Sequence, residues 1–254
     1  MTGVGRGLGR VAPLLGLVAL WQAASATGVL PARLLPSPAA VARVLATLVG
    51  SGEIVPHTLA SLGRAGTGFL VAVVAGVAVG ILMARFPAVE RAVEPLLGLT
   101  YPVPKPALIP LFMIWLGIGD FSKITVIALA CALPVVIAAY NGAAGVDETL
   151  VWSARARGTP EHRLLWRIVL PAAAPQIAAG VRTALAVALI VLVSSEFISS
   201  EAGLGYLIFS YGGVGAEDAM LAVVLYLAAI GYAADTLYVA LLRRVLAWHE
   251  FGRA

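Results

Sequence analysis

Six long apolar runs, separated by short polar stretches, constrain the fold of this chain more than any other feature. They are approximately Val11–Thr27, Leu59–Ala84, Val93–Gly117, Ile124–Tyr140, Ala172–Ser195 and Met220–Leu242. A helix crossing the hydrocarbon core takes about 20 predominantly apolar residues, and each run approaches or exceeds that length. The 254 residues are 61% hydrophobic and 12% charged, where an ordinary soluble domain carries roughly 25% charged residues. A soluble core cannot absorb that much apolar surface, so residues 1–254 read as a single all-α, polytopic membrane domain with about six transmembrane helices. The first run could instead be a signal peptide, since Arg6 and Arg10 precede it. A retained helix is preferred, because an even number of spans places both basic termini on one side.

The formal charge of +4 does not point to nucleic acid, because the basic residues cluster at the ends of apolar runs, where cytoplasmic loops carry Lys and Arg. Arg6, Arg10, Arg85, Arg91, Arg155, Arg157, Arg163, Arg167, Arg243, Arg244 and Arg253 fall on one side of the six-span arrangement. Only Arg33, Arg43, Arg64 and Lys123 fall on the other, which also carries the acidic stretch Glu196–Asp218. The arginine-rich side is therefore cytoplasmic, with both termini, in a multi-pass cytoplasmic (inner) membrane protein. Metal chemistry is not expected: Cys131 is the single cysteine, and His57, His162 and His249 lack ligand spacing. No catalytic constellation is expected either. The lysines Lys105 and Lys123 follow Pro104 and Ser122, so neither belongs to a Gly-Lys-Ser/Thr phosphate-binding loop.

Three connections carry information. Ser37 and Pro38 are placed to cap and begin a short external helix over Ala39–Val49, read as a connector on the membrane surface. The third run holds Pro95, Pro102, Pro104, Pro106 and Pro110 in or beside it. Interior prolines remove backbone hydrogen bonds, and broken helix survives at membrane depth only inside protein or beside a watery cavity. Pro102, Pro104, Lys105 and Pro110 are therefore candidates for lining a solute path, together with Glu196 at the end of the fifth run. A structural kink is the alternative.

The third connection, 141–171, reads as two short helices around a turn. Asp147 caps the first, Glu148 suits its dipole, and Leu150, Val151 and Ala154 form its apolar face, with Arg155 and Arg157 near its C-terminal end. Gly158 stops it. Thr159 is placed to cap the second helix with Pro160 at its first position; Leu164, Leu165, Ile168 and Val169 give the apolar stripe, and Pro171 ends it. Such an amphipathic pair can rest on anionic lipid, connect two spans, or dock a partner.

Gly158, nine intervening residues, and Ile168-Val169-Leu170-Pro171 resemble the cytoplasmic loop of bacterial ABC importer permeases, which runs Glu-Ala-Ala, three residues, Gly, nine residues, Ile-x-Leu-Pro. The leading triplet falls on Trp152, Ser153 and Ala154, of which the last alone agrees. The stretch from Tyr101-Pro102-Val103-Pro104-Lys105-Pro106 to Pro110-Leu111-Phe112, followed by Trp115-Leu116-Gly117-Ile118-Gly119, resembles the third-span signature of nitrate, sulfonate and taurine importer permeases. Ser195-Glu196-Phe197 and Gly203-Leu204-Gly205-Tyr206 resemble the segment after that family's fifth span. The resemblance implies a type I importer permease fold and the transmembrane subunit of an ATP-driven importer for a small anionic or polar solute. It implies a second copy of the chain, separate ATP-binding cassette subunits that carry ATP and Mg, and an extracytoplasmic solute-binding protein. It makes 141–171 the coupling loop. The chain itself would bind no cofactor, touch membrane lipid and bind no nucleic acid. The rival is a self-sufficient ion-coupled transporter or channel, whose coupling groups would have to be drawn from Lys105, Arg182, Glu196 and Asp235. Arg182, Glu196 and Asp235 read as span-end anchors.

Overall fold

The structure, a computed structural model, describes residues 3–28, 31 and 34–247; the side chains of 3–11, 14, 161 and 162 lie outside that description. Arg33, His249 and Arg253 therefore lie outside the described residues. The elements are helical throughout. In chain order they are α1 (Gly3–Ala26), α2 (Pro38–Gly50), α3 (Ile54–Arg85), α4 (Pro87–Thr100), α5 (Ile109–Leu116) and α6 (Asp120–Ala144), then α7 (Glu148–Ala156), α8 (Glu161–Leu164), α9 (Leu170–Ile198), α10 (Leu204–Gly213) and α11 (Glu217–Val245). Four helical stretches are long and apolar enough to cross a membrane: Ile54–Arg85, Asp120–Ala144, Leu165–Ile198 and Glu217–Val245. The pair Pro87–Thr100 and Lys105–Leu116 makes a fifth if counted as one bent span. The expected first span falls on α1, whose apolar part is Leu15–Ala26. Leu15, Leu17, Val18 and Leu20 are exposed, and α1 meets α2, where Trp21 Nε1 donates to Pro36 O at 2.9 Å.

The core is a three-helix unit of α3, α6 and α9, which make the most extensive contacts in the chain. Backbone proximity rather than bulk brings them together. Gly68, Gly76 and Gly80 of α3 lie against Ile127, Val135 and Ala139 of α6, in matching register. A Cβ at Gly80 would stand 2.6 Å from both Ala139 Cβ and Val136 O, and one at Gly180 of α9 would stand 2.2 Å from Ala138 Cβ. Small residues at spanning-helix contacts permit such an approach, and dispersion then supplies the attraction that hydrophobic burial cannot supply within lipid. Ala72, Val126, Ile127, Cys131, Val135 and Ala184 fill the centre of this unit.

The short helix after α1 forms as expected. Ser37 Oγ accepts the Ala40 N–H at 3.2 Å and Pro38 opens the first turn. Its buried Val41 and Leu48 face inward, and Leu48 packs with Ile54, Leu204, Leu207 and Val223, so α2 joins the bundle through α10 and α11 instead of only resting on a membrane surface.

The third span is broken as its prolines demand. Pro87 forces Phe86 into an extended conformation, ending α3 and opening α4. After Thr100 the chain turns through Tyr101–Pro104, makes a short tight helix over Lys105–Leu108 and continues as α5, the two arms bent by 92°. Pro110 sits in the first turn of α5, where a missing N–H costs nothing. The two lysines stand at the two ends of the second arm. Lys105 Nζ donates to Thr100 O and, at 2.8 Å, to Val103 O; buried Lys123 donates to Ile118 O at 2.9 Å, beyond the other end. Each ammonium satisfies carbonyls outside the helical ladder: the break releases those of Thr100 and Val103, and the turn between α5 and α6 releases that of Ile118.

Candidate functional site

Residues 141–171 fold as a compact turn packed on the bundle. Asp147 accepts the Thr149 N–H at 2.8 Å and the Thr149 hydroxyl at 2.7 Å, which hold its carboxyl below the usual carboxylate range, the hydroxyl bond contributing most. At the far end of α7, Thr159 N–H reaches Ala154 O at 3.0 Å and Gly158 N–H reaches Arg155 O at 2.9 Å. This six-to-one and five-to-two pair is a Schellman stop, and it places Gly158 at φ +76°. Ala154, Leu164 and Val169 are buried with Ile81, Ala143 and Ala173, so the loop's apolar face is spent on the ends of α3, α6 and α9 rather than on lipid.

Two details of the second loop helix differ from expectation. The cap falls on Pro160, whose carbonyl accepts the N–H groups of Arg163 (2.9 Å) and Leu164 (3.1 Å), rather than on Thr159. Pro171 does not end the helix. One wide turn, Leu165–Val169, shifts the bonding so that Leu170 N–H reaches Leu165 O, and Pro171 then falls in the first turn of α9, where it has no N–H to give. The helical path therefore runs without a gap from Glu161 to Ile198. Outward from it stand Leu150, Trp152, Arg157, Arg163, Trp166 and Arg167, all exposed, as is Arg155. Ser153, Arg157, Thr159, Arg167, Ile168 and Pro171 line an open hollow of about 660 Å³ between α7 and the start of α9. Pro160 is exposed beside it, and Leu170 is half-buried.

A second hollow, of about 670 Å³, lies between the break in the third span and the faces of α6 and α9. Tyr101, Val103 and Lys105 form one side; the other runs from Asn141 and Gln176 to Ala130 and Val187, about 16 Å by helical rise, and includes Thr183. Lys105 thus stands in this groove, while Pro102, Pro104 and Pro110 shape the break beside it without lining it.

Glu196 is not brought there. Its carboxylate is 1% exposed and accepts from Arg64 Nη1 (2.7 Å), Gly205 N–H (2.8 Å) and the Ser61 hydroxyl (2.9 Å to each oxygen). Arg64 also donates to Asp120 (2.7 Å) and to Ala202 O (2.6 Å). Ser61 Oγ accepts the Leu204 N–H at 2.8 Å and His57 Nδ1 accepts the Gly203 N–H at 3.1 Å. His57, Ser61 and Arg64 lie on one stripe of α3, and together they hold the segment between α9 and α10. Glu196, expected beside Lys105 on a solute path, stands instead with both carboxylate oxygens turned into this clasp and is not among the residues lining the Lys105 groove. The two glycines of the Gly203-Leu204-Gly205-Tyr206 stretch make room for it. Gly203 has φ +133°, and a Cβ there would fall 2.3 Å from the carboxylate carbon; one at Gly205 would fall 2.7 Å from Glu196 Cβ.

From the sequence, Arg64 reads only as a charge near a span end. Spacing offered one signal, Ser61 and Arg64 three apart on a helix. Arg182 and Asp235 are likewise not span-end anchors. They lie inside α9 and α11 and form a two-pronged pair, with both bonds at 2.7 Å.

The family model described as binding-protein-dependent transport system inner membrane component matches residues 76–247. A protein of Bacillus subtilis (strain 168) named as an aliphatic sulfonates transport permease is 34% identical over 234 residues, covering 92% of this chain and 85% of its own length. The taurine transport system permease of Escherichia coli (strain K12) is 34% identical over 244 residues, covering 94% and 89%. Among solved structures, the inward-facing MetNI methionine ABC transporter matches with a TM-score of 0.64 at 19% identity over 76% of this chain and 95% of that one, a likeness of fold.

Proposed function

The chain belongs to the family of binding-protein-dependent transport system inner membrane components, and from that premise we propose that it is the permease of an importer for a small organic anion, with sulfonates the leading class. It is a transport component of an ABC system, not an enzyme, and a self-sufficient ion-coupled transporter is not favoured. ATP is hydrolysed on a separate cassette subunit that carries ATP and Mg, and an extracytoplasmic binding protein delivers the solute. Two copies of the chain form the path, and the arginine-rich side, with both termini, faces the cytoplasm. Sulfonates are named because relatives at 34% identity carry sulfonate and taurine transport in their names.

The observation that carries the coupling role is the shape of 141–171. A solvent-facing surface of Trp152, Trp166, Arg157, Arg163 and Arg167 is mounted on a turn whose apolar side is already buried. Exposed Trp and Arg are the residues most enriched at binding hot spots. The helical path from Glu161 to Ile198 then connects whatever docks there to a spanning helix. Trp152 and Ser153 replace the acidic start of the family pattern, so docking here would rest on aromatic and cationic contacts.

The test is reconstitution. The chain alone in liposomes should take up no solute, and uptake of taurine or ethanesulfonate should appear when the cassette subunit, the binding protein and ATP are supplied. Vectorial uptake by the chain alone, without ATP, would defeat the proposal.

A further inference from the structure

Lys105 differs from the other cations at membrane depth. Arg64 is neutralised by Glu196 and Asp120, and Arg182 by Asp235. Lys123 lies in the opposing fields of Arg64 on one side and of Asp120 and Glu196 on the other. Among the described residues the Lys105 ammonium meets main-chain carbonyls only, those of Thr100 and Val103. Among the described residues it is the one charged side chain that lines the groove between the break and α6/α9. Two carboxylates, Glu90 and Glu94, line a neighbouring hollow that shares Tyr101 and Ile137 with the groove, and Glu90 accepts the Tyr140 hydroxyl. An ionised group inside a membrane domain is costly unless compensated, and such groups mark substrate pathways.

We propose that this groove is a solute site of the permease itself, in which Lys105 binds the charged head of a small organic oxyanion and sets selectivity for anions over neutral solutes. The proposal rests on the importer reading above and adds a specificity-determining residue to it. Two of the three ammonium protons are committed to the carbonyls at the break, which fixes the nitrogen in place; the third remains for an anion. A charge held this way needs little reorganisation when a ligand arrives. The opposite wall offers the side-chain amides of Asn141 and Gln176 to further oxygens; the Thr183 hydroxyl on the same wall is given to Ala179 O at 3.1 Å. Ala130, Leu133, Ile137 and Val187 give a strip suited to a short carbon chain. The groove lies within the 300–1,000 Å³ range of small-molecule sites. A tetrahedral oxyanion on a short alkyl tail, as in an alkanesulfonate, meets both requirements; inorganic sulfate meets only the first.

The test uses the detergent-purified complex of permease and cassette subunit, without the binding protein, and measures equilibrium binding of radiolabelled ethanesulfonate. Saturable binding is expected, displaced by taurine, weakly displaced by sulfate and not displaced by uncharged ethanesulfonamide. Lys105→Met should weaken binding at least about tenfold, as for loss of one partner of a desolvated charge pair, while Lys105→Arg should stay within about threefold. Because Lys105→Met also removes the cap on the break, Gln176→Leu on the opposite wall serves as the second variant. It should weaken binding by about threefold or more, as for one lost hydrogen bond to a charged group. Three results would overturn the site: no saturable binding by a wild-type complex that still imports sulfonates, wild-type affinity in both Lys105→Met and Gln176→Leu, or equal displacement by the neutral sulfonamide. Absence of ATP-driven sulfonate uptake by the wild-type assembly would instead count against the importer reading.

Discussion

Replacing Glu196 with glutamine keeps the shape of the side chain and removes one acceptor and the charge. Three donors converge on the carboxylate: the Ser61 hydroxyl, Arg64 Nη1 and the Gly205 N–H. A glutamine amide has one oxygen and one NH₂. If the NH₂ takes the place of Oε2 it faces the Gly205 N–H, and if it takes the place of Oε1 it faces Arg64. Either way a buried donor loses its acceptor, which costs about 1–3 kcal/mol. Arg64 keeps Asp120 and Ala202 O, but the Asp120 side chain is 64% exposed and compensates the buried guanidinium less well than Glu196 did. Together these terms come to about 3 kcal/mol, at the low end for breaking a buried pair. At roughly 2–4 °C per kcal/mol for a chain of this size, Glu196→Gln should unfold about 6–12 °C below wild type. The assay is thermal unfolding of the detergent-solubilised chain, followed by helical circular dichroism. A variant melting within about 2 °C of wild type would refute the reasoning, since it would mean that water, not the three donors, solvates this position.

Gly158→Val places a β-branched residue at φ +76° with no atom within 4 Å of its Cβ, so the cost is backbone strain alone, about 1–2 kcal/mol; co-purification of the cassette subunit should fall roughly tenfold while membrane insertion is unchanged. Gly80→Ala drives a Cβ into Ala139 and Val136 O and should destabilise by about 1–3 kcal/mol in the same melting assay, whereas Gly98→Ala, with open space around it, should stay within about 0.5 kcal/mol. Asp147→Ala removes the cap of α7 and should speed amide exchange at Thr149 about fivefold, for a loss of ~1 kcal/mol. The Asp147 carboxyl is depressed in the folded chain, so the cap's contribution is complete above the ordinary value of about 3.9 and is lost only as pH falls through the lower folded value; the exchange difference should therefore hold constant from neutral pH down to about 5.

What the sequence made legible were features of one helix or one turn. The Ser37–Pro38 start, the Asp147 cap, the Gly158 stop and the broken third span all follow from local rules and are present, and of the six apolar runs four form helices long enough to cross a membrane, five with the bent pair. The misreadings share another cause. Glu196, Arg182 and Asp235 are read from sequence as charges near span ends, which they would be if depth along one helix decided their role. Their partners lie on other helices, 132 residues away for Glu196 and 53 for the Arg182–Asp235 pair, and a single sequence carries no sign of such a meeting. The glycines of α3 were visible, but their register against α6 exists only once the two helices are packed. Pro171 misled for a local reason of a rarer kind: a wide turn of five residues lets a helix continue past a proline that would ordinarily mark its end.

That wide turn bears on how docking at one end could act at the other. A loop joined to its span by a flexible link would absorb displacement at the link. Here the chain stays helical without a gap from Glu161 to Ile198, with single bonds withheld at Pro171 and Pro175, and the far end of the same helix carries Glu196, clasped to Ser61 and Arg64 on α3. Along its middle, α9 is held to α6 by the backbone approach at Gly180. Displacement of α8 by a docked partner would therefore move α3, α6 and α9 as one body and carry the α9–α10 segment with it. The compliant parts lie elsewhere, in the break between α4 and α5 and in the looser contact of α11 with α9. On this argument the solute groove, which has the break for one wall and α6 with α9 for the other, lies on the seam between the stiff and the compliant halves. Crosslinking tests the seam: cysteines placed at Val103 and Val187 on opposite walls of the groove and joined by a bifunctional thiol reagent should abolish ATP-driven uptake, while the same double variant left unjoined should retain it. Uptake that survives the crosslink would place the moving seam elsewhere.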